Sequence, residues 1–255
     1  MGHSEVPRVL KVARQWMGLG AVAIAALAGC GAPPDAPLKP DPTPVPVATP
    51  DAREATARDV LAVVQQAVDH TQTWTGSART DNIAPDGDRD YNVVTLCYKR
   101  PGICAATVTA SRDSRKVGTR MVYDGNRTVA IKTYLFGFFP VRATLDVQDD
   151  RLLDGYKRSL RDTSTEQLLG VLLDPQAQCV DRGIYQVAGE NVELLDLRSS
   201  HSWKEVSHEV IGISHRTRLP ILRDVYDQRD KVVFHMEITG MKTNVSFPPR
   251  EFTNE

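Results

Sequence analysis

Between residues 54 and 70 the apolar positions Val60, Leu61, Val63, Val64, Ala67 and Val68 recur at the spacing of one helix face, which predicts a helix there. The pattern then changes to that of strands. Asn92 to Tyr98 is rich in β-branched and aromatic residues, and 103–110 pairs with it naturally across the turn Arg100-Pro101-Gly102. Residues 119–123, the turn Asp124-Gly125-Asn126 and residues 128–134 continue an antiparallel meander. Thr163-x-x-Glu166 has the form of a capping box and opens a short helix with Leu168, Leu169, Val171, Leu172 and Leu173, which Asp174-Pro175 stops. Strand signals return over 184–188, 192–197, 204–213, 219–226 and 231–238. In the third of these, Val206, His208 and Val210 alternate with Ser207 and Glu209, as in a half-buried strand. The order of helix, hairpins, apolar segment, short helix and more hairpins predicts an α+β fold with one large curved antiparallel sheet.

The amino-terminal region follows another logic. Arg8, Lys11 and Arg14 precede a charge-free run from Met17 to Gly29, which ends in Leu27-Ala28-Gly29-Cys30. A basic start, a short apolar stretch and small residues at the end mark a secretory signal. The thirteen-residue run is too short for a permanent span, which takes about 20 apolar residues. Leu-Ala-Gly-Cys resembles the lipobox of bacterial lipoproteins. The resemblance implies a diacylglyceryl group on the Cys30 sulfur, cleavage before it, and an N-acyl chain of the palmitate kind on the new terminus. Gly31, rather than Asp, after the cysteine resembles the pattern sent to the outer membrane, with the folded domain facing the periplasm. Residues 31–50 hold eight of the sixteen prolines. Such a segment favours extended polyproline II and forms no core. The expected organisation is a lipoprotein signal peptide over 1–29, a lipidated Cys30 and Pro-rich linker over 30–50, and one domain over 51–255.

The formal net charge is −1, and loss of Arg8, Lys11, Arg14 and Glu5 with the leader makes it −3. That balance offers no basic face for nucleic acid. Export would place Cys97, Cys104 and Cys179 where disulfides persist. A hairpin centred between Arg100 and Pro101 sets Cys97 opposite Cys104, the favoured disulfide pair, with Cys104–Cys179 as the alternative. No Cys-x-x-Cys occurs.

Three segments, with a fourth in support, resemble the LolA-like superfamily of periplasmic lipoprotein carriers and receptors. They are Leu96-Cys97-Tyr98-Lys99-Arg100-Pro101, Met121-Val122-Tyr123-Asp124-Gly125-Asn126, and Ile238-Thr239-Gly240-Met241-Lys242-Thr243-Asn244-Val245 with Phe252. Arg218-Leu219-Pro220 resembles the family's late hairpin. The likeness is nearest to LolA-like lipoproteins and covers most of 54–253. It implies an unclosed antiparallel β-barrel, a strongly curved sheet covered by a few helices, whose apolar hollow binds a lipid or a lipoprotein acyl chain. It also implies that Arg100 holds lid elements shut. Cys97 stands where the carrier has tryptophan. The family also includes envelope regulators, so a regulatory or structural interaction protein on the same scaffold is the alternative function.

Leu135, Phe136, Phe138 and Phe139 lie in the most apolar stretch beyond residue 30. They are candidates for contact with an acyl chain or membrane, against ordinary core filling. Catalytic motifs are lacking: there is no Gly-x-Ser-x-Gly, no His-Glu-x-x-His and no phosphate-binding glycine loop. His201, His208 and His215 recur every seven residues, which alternates faces on one strand. Asp224, Asp227 and Asp230 lack EF-hand spacing. The expectation is a binding protein without enzymatic activity, metal or cofactor other than its covalent lipid. Its partners would be the membrane and a lipid or acylated protein.

Overall fold

The computed structural model describes residues 50–84, 87–135, 138–153 and 158–253. The expected signal peptide, the Cys30 expected to carry lipid, and the Pro-rich stretch up to residue 49 lie outside the described residues, as does Phe136.

Helix α1 (Pro50–His70) comes first. Of the predicted stripe, Val64 and Val68 are buried and Val60, Leu61 and Ala67 half-buried, while Val63 is exposed and Ala57 joins the buried face one turn earlier. Six strands follow as a meander: β1 (Thr73–Ile83), β2 (Arg89–Lys99), β3 (Ile103–Ser111), β4 (Arg120–Tyr123), β5 (Thr128–Leu135) and β6 (Phe139–Asp146). Helix α2 (Thr165–Leu172) lies in the crossover. A second meander holds β7 (Gln178–Val187), β8 (Glu190–Arg198), β9 (Val206–Ser214), β10 (Pro220–Asp227) and β11 (Val232–Thr243). All pairings are antiparallel, and β11 returns to pair with β1. The result is one eleven-stranded sheet in the order β6-β5-β4-β3-β2-β1-β11-β10-β9-β8-β7, with β6 and β7 outermost and α1 packed against β7. The fold is the open, curved α+β sheet that the sequence predicts.

Register shifts between Thr75 and Ser77, Val93 and Val94, Val225 and Tyr226, and Asp181 and Gly183 bend the strands. Each inserted residue increases local twist and curls the sheet around its inner face. Gly76 sits in the first of these, where a Cβ would lie 2.9 Å from Ile238 Cγ2. The junction of α1 and β1 is stapled by Asn244. Its side chain accepts from Gln72 N (3.0 Å) and donates to the His70 carbonyl (3.2 Å), while its backbone N donates to Thr73 O (2.7 Å).

Four expectations change. Cys97 does not face Cys104: the register pairs Cys97 with Ala105 and Tyr98 with Cys104. Lys99 pairs with Ile103, so the loop holds the three residues 100–102 rather than two. A one-residue shift sends side chains to opposite faces. Cys97 is therefore packed on the outer face with Ala105 and Val122, under Phe247 and Phe252, and Cys104 faces the hollow. Both are free thiols. The N-cap of α2 is Ser164, whose hydroxyl accepts from Gln167 N at 3.2 Å, and not Thr163. The apolar stretch at 135–140 belongs in part to strands, with β5 ending at Leu135 and β6 starting at Phe139 opposite it. Glu209 is not a solvent-facing alternate of β9. It is fully buried, because helices and loops cover the inner face while Val210 is also buried on the other. Strand β1 and strand β6 are additional to the elements read from the sequence.

Candidate functional hollow

The inner face of the sheet is apolar at one end, and α1 and α2 lie over it. Val68 of α1, Leu168 and Leu169 of α2, Leu96 of β2, Ala106 of β3, Met121 of β4, and Met236, Ile238 and Met241 of β11 surround an unfilled space of about 90 Å³. A buried water needs roughly 10–15 Å³ by the same kind of measure, so the space is larger than any single water site. Its mouth is bordered by the β2–β3 turn and the first turn of α2. Among the described residues, Arg100 and Glu166 are the only charged ones in its lining.

Sequence and turn geometry explain how these groups meet. Gly102 has φ +71°, the left-handed conformation that glycine adopts without strain, and it lets the three-residue loop close. The hairpin thereby brings Tyr98 and Cys104 side by side on the inner face. Tyr98 stacks on Trp74 with ring centroids 5.7 Å apart. Its hydroxyl donates to Glu166 Oε1 at 2.6 Å, a charge-assisted bond from sheet to helix. Burial raises the Tyr98 hydroxyl pKa, and the Glu166 carboxylate raises it further. Burial likewise pushes the Cys104 thiol up to about 12, with the Glu166 charge adding to the shift. Cys97, on the outer face, is also raised by burial. Burial thus disfavours the thiolate at both positions.

Arg100 borders the hollow, and its guanidinium reaches α1. It donates to the Asp69 carbonyl at 3.4 Å and lies 3.9 Å from the Asp69 carboxylate. A cation at a helix C-terminus interacts favourably with its dipole. The hold on α2 comes from Tyr98 instead, a residue that sequence reading passed over. Its signal was the pattern of a large aromatic next to the turn, opposite an acid in the first turn of a helix.

Phe138 and Phe139 do not line the hollow. They sit at the β5–β6 tip, 65% and 58% exposed, with ring centroids 4.4 Å apart. Leu135 closes β5, and its side chain lies outside the described residues. The three histidines are apart: His201 contacts the Gly170 carbonyl, His208 stacks on Tyr226, and His215 pairs with Glu193 at 2.9 Å. Among the described residues no group of His, Cys, Asp and Glu is arranged to hold a metal ion. Among the described residues no helix is long and apolar enough to cross a membrane.

No family model matches the chain, and no curated protein matches it in sequence. Solved structures are similar in part. An uncharacterized conserved protein from Thermus thermophilus is 11% identical, with 78% of this chain and 94% of that one covered at a TM-score of 0.48. Lipoprotein LppX from Mycobacterium tuberculosis is 10% identical, with 75% and 98% covered at 0.42. A LolA superfamily protein from Nitrosomonas europaea is 11% identical, with 77% and 97% covered at 0.34.

Proposed function

We propose that this protein is an envelope lipoprotein, held to a membrane by lipid on Cys30, that binds a lipid or lipoprotein acyl chain in the hollow of its sheet. The observation that carries this reading is the partly unfilled apolar space between the curved sheet and α2. Burial of apolar surface there yields about 25 cal/mol per Å². The chain would enter at the mouth between Arg100 and Glu166, where a polar head stays in water. Leu168 and Leu169 occupy part of the path, so binding requires α2 to lift, and the Tyr98–Glu166 bond is the contact that lifting breaks. The Cys30 lipid and the outer membrane as its destination rest on the lipobox and on Gly31. The absence of catalytic motifs and the high thiol pKa values support a binding role over an enzymatic one.

Native mass spectrometry of the full chain carrying Cys30→Ser, purified without detergent from bacteria, tests the reading. A retained mass matching a phospholipid, fatty acid or acylated peptide supports it. A clean apo mass with no shift on adding lipid overturns it.

A second reading is favoured by the exposed Phe138–Phe139 pair. The tip of the β5–β6 hairpin would contact a partner protein or the membrane itself, with the scaffold serving regulation or assembly. Recovery of one specific protein by cross-linking from intact envelopes, lost on Phe138→Ser/Phe139→Ser, supports that reading.

A further inference from the structure

Cross-strand rows on the inner face change character along the strands. One row runs Val94, Ala78, Ile238 and is apolar. The next inner row runs Asn92, Thr80, Met236, Arg223, Ile211, and the one after it Asp90, Asn82, Phe234, Val225, Glu209. Six of these ten residues are polar or charged, yet all six are buried. Arg223 donates to Glu209 Oε2 at 2.7 Å, with the two side chains 1% and 0% exposed, and to Gln167 Oε1 of α2 at 3.0 Å. Lys116 pairs with Asp90 at 2.9 Å in the same layer. Trp203 carries the Arg158 guanidinium 3.9 Å and the Arg223 guanidinium 4.6 Å from its ring centroid.

We infer that this layer is the end wall of the hollow and sets the length of chain it accepts; the inference rests on the acyl-binding reading. The mouth is at Tyr98, and the last apolar row is at Val94, about 13 Å away along β2 at the strand rise of about 3.3 Å per residue. The first polar row is roughly 20 Å from the mouth by the same rise. An acyl chain pushed past Val94 would have to separate Arg223 from Glu209 or Gln167, leaving buried charge uncompensated. It would also lie against Thr80 Oγ1, Asn92 Oδ1 and Glu209 Oε1, which have no hydrogen-bond partner among the described residues. Polar atoms of this kind give an apolar chain no gain on contact. The hollow is therefore blind, open at the Arg100 end, and takes a single chain of medium length rather than a long or doubled one.

Displacement of a fluorescent fatty acid from the full chain (Cys30→Ser) by saturated acids from octanoate to stearate tests the wall. Affinity should rise with length, by up to about fourfold per methylene, and stop rising between dodecanoate and palmitate. In Arg223→Met/Glu209→Leu/Thr80→Val, which replaces the wall with apolar groups, the rise should continue to stearate. Ala78→Leu, which fills the last apolar row, should move the break to shorter acids. An unbroken rise to stearate in the native chain overturns the wall, as does a break unmoved by Ala78→Leu should the triple variant fail to fold. A break at the same length in a folded triple variant also overturns it. Failure of every acid to bind overturns the acyl reading itself.

Discussion

Strands β9 and β10 and strands β5 and β6 are hairpins of one sheet, but they differ in what covers them. In β9 every residue from His208 to Ser214 is buried, and in β10 Pro220 to Arg223 and Val225 are buried. In β6 no residue is buried, and β5 buries Val129 and Ile131 near its base while Tyr134 is exposed. Composition alone does not explain this, since the β5–β6 end holds the exposed Phe138 and Phe139 and β9–β10 holds a buried Arg and Glu. What differs is position. α2 and the loops beside it lie over the middle of the sheet, so even charges there are enclosed, whereas the edge hairpin projects beyond them. Central strands thus carry the stability, and the edge hairpin is free to carry surface chemistry.

The contrast can be broken most sharply at the buried ion pair. Arg223→Ala leaves Glu209 buried and unpaired and should cost about 3–5 kcal/mol in urea unfolding, while Arg223→Met/Glu209→Leu should cost far less. Gly212→Ala comes next. A Cβ there would lie 2.6 Å from Val192 Cγ1 and 2.8 Å from Leu222 Cβ, so overpacking should cost about 1–3 kcal/mol. Tyr98→Phe removes the bond to Glu166 and should cost about 1.5–3 kcal/mol at most, less where Glu166 regains water. Its distinguishing result is faster hydrogen exchange in α2 with β5–β6 unchanged.

A smaller effect is one of pH. Burial lowers the His235 pKa, but the Asp224 carboxylate at 2.6 Å, with Asp81 and Glu237, outweighs it and the net shift is upward. A group whose folded pKa is raised stabilises the fold fully below its unfolded value, about 6.5, and that stability is lost as pH rises through the folded value. Chemical denaturation from pH 6 to 8 should show this loss, and His235→Gln should flatten it. Smallest for stability is Phe138→Ser/Phe139→Ser, expected within about 0.5 kcal/mol of the native chain by thermal melting. A large destabilisation there would show that the hairpin is part of the core after all.

Much of the fold was legible because local chemistry and fold agree. The α1 stripe, the Arg100-Pro101-Gly102 and Asp124-Gly125-Asn126 turns and most of the strands follow from spacing and turn residues. Strand β1 was harder to see because Thr80 and Asn82, polar in sequence, take inner-face positions where apolar residues would have shown the alternation. Strand β6 was hidden by Phe139-Pro140, which reads as part of an apolar loop. The cysteine register turned on one extra loop residue. Of the hollow, Arg100 was visible, but its apolar lining was not singled out, since the candidates Phe138 and Phe139 lie elsewhere, and the wall was not visible either. Asn92, Thr80, Arg223 and Glu209 come from four strands far apart in sequence, and each alone resembles an ordinary solvent-facing residue.

The pairing of β1 with β11 also bears on the order of events during synthesis. The strand that joins the two meanders is the last of the eleven, so the first has no neighbour on one side until residues 232–243 exist. Contacts so distant in sequence form late and slowly. A nascent chain lacking its final strand therefore cannot complete its core until translation has nearly finished. The same connectivity means that removing β11 should not leave a smaller folded domain but should release both halves together.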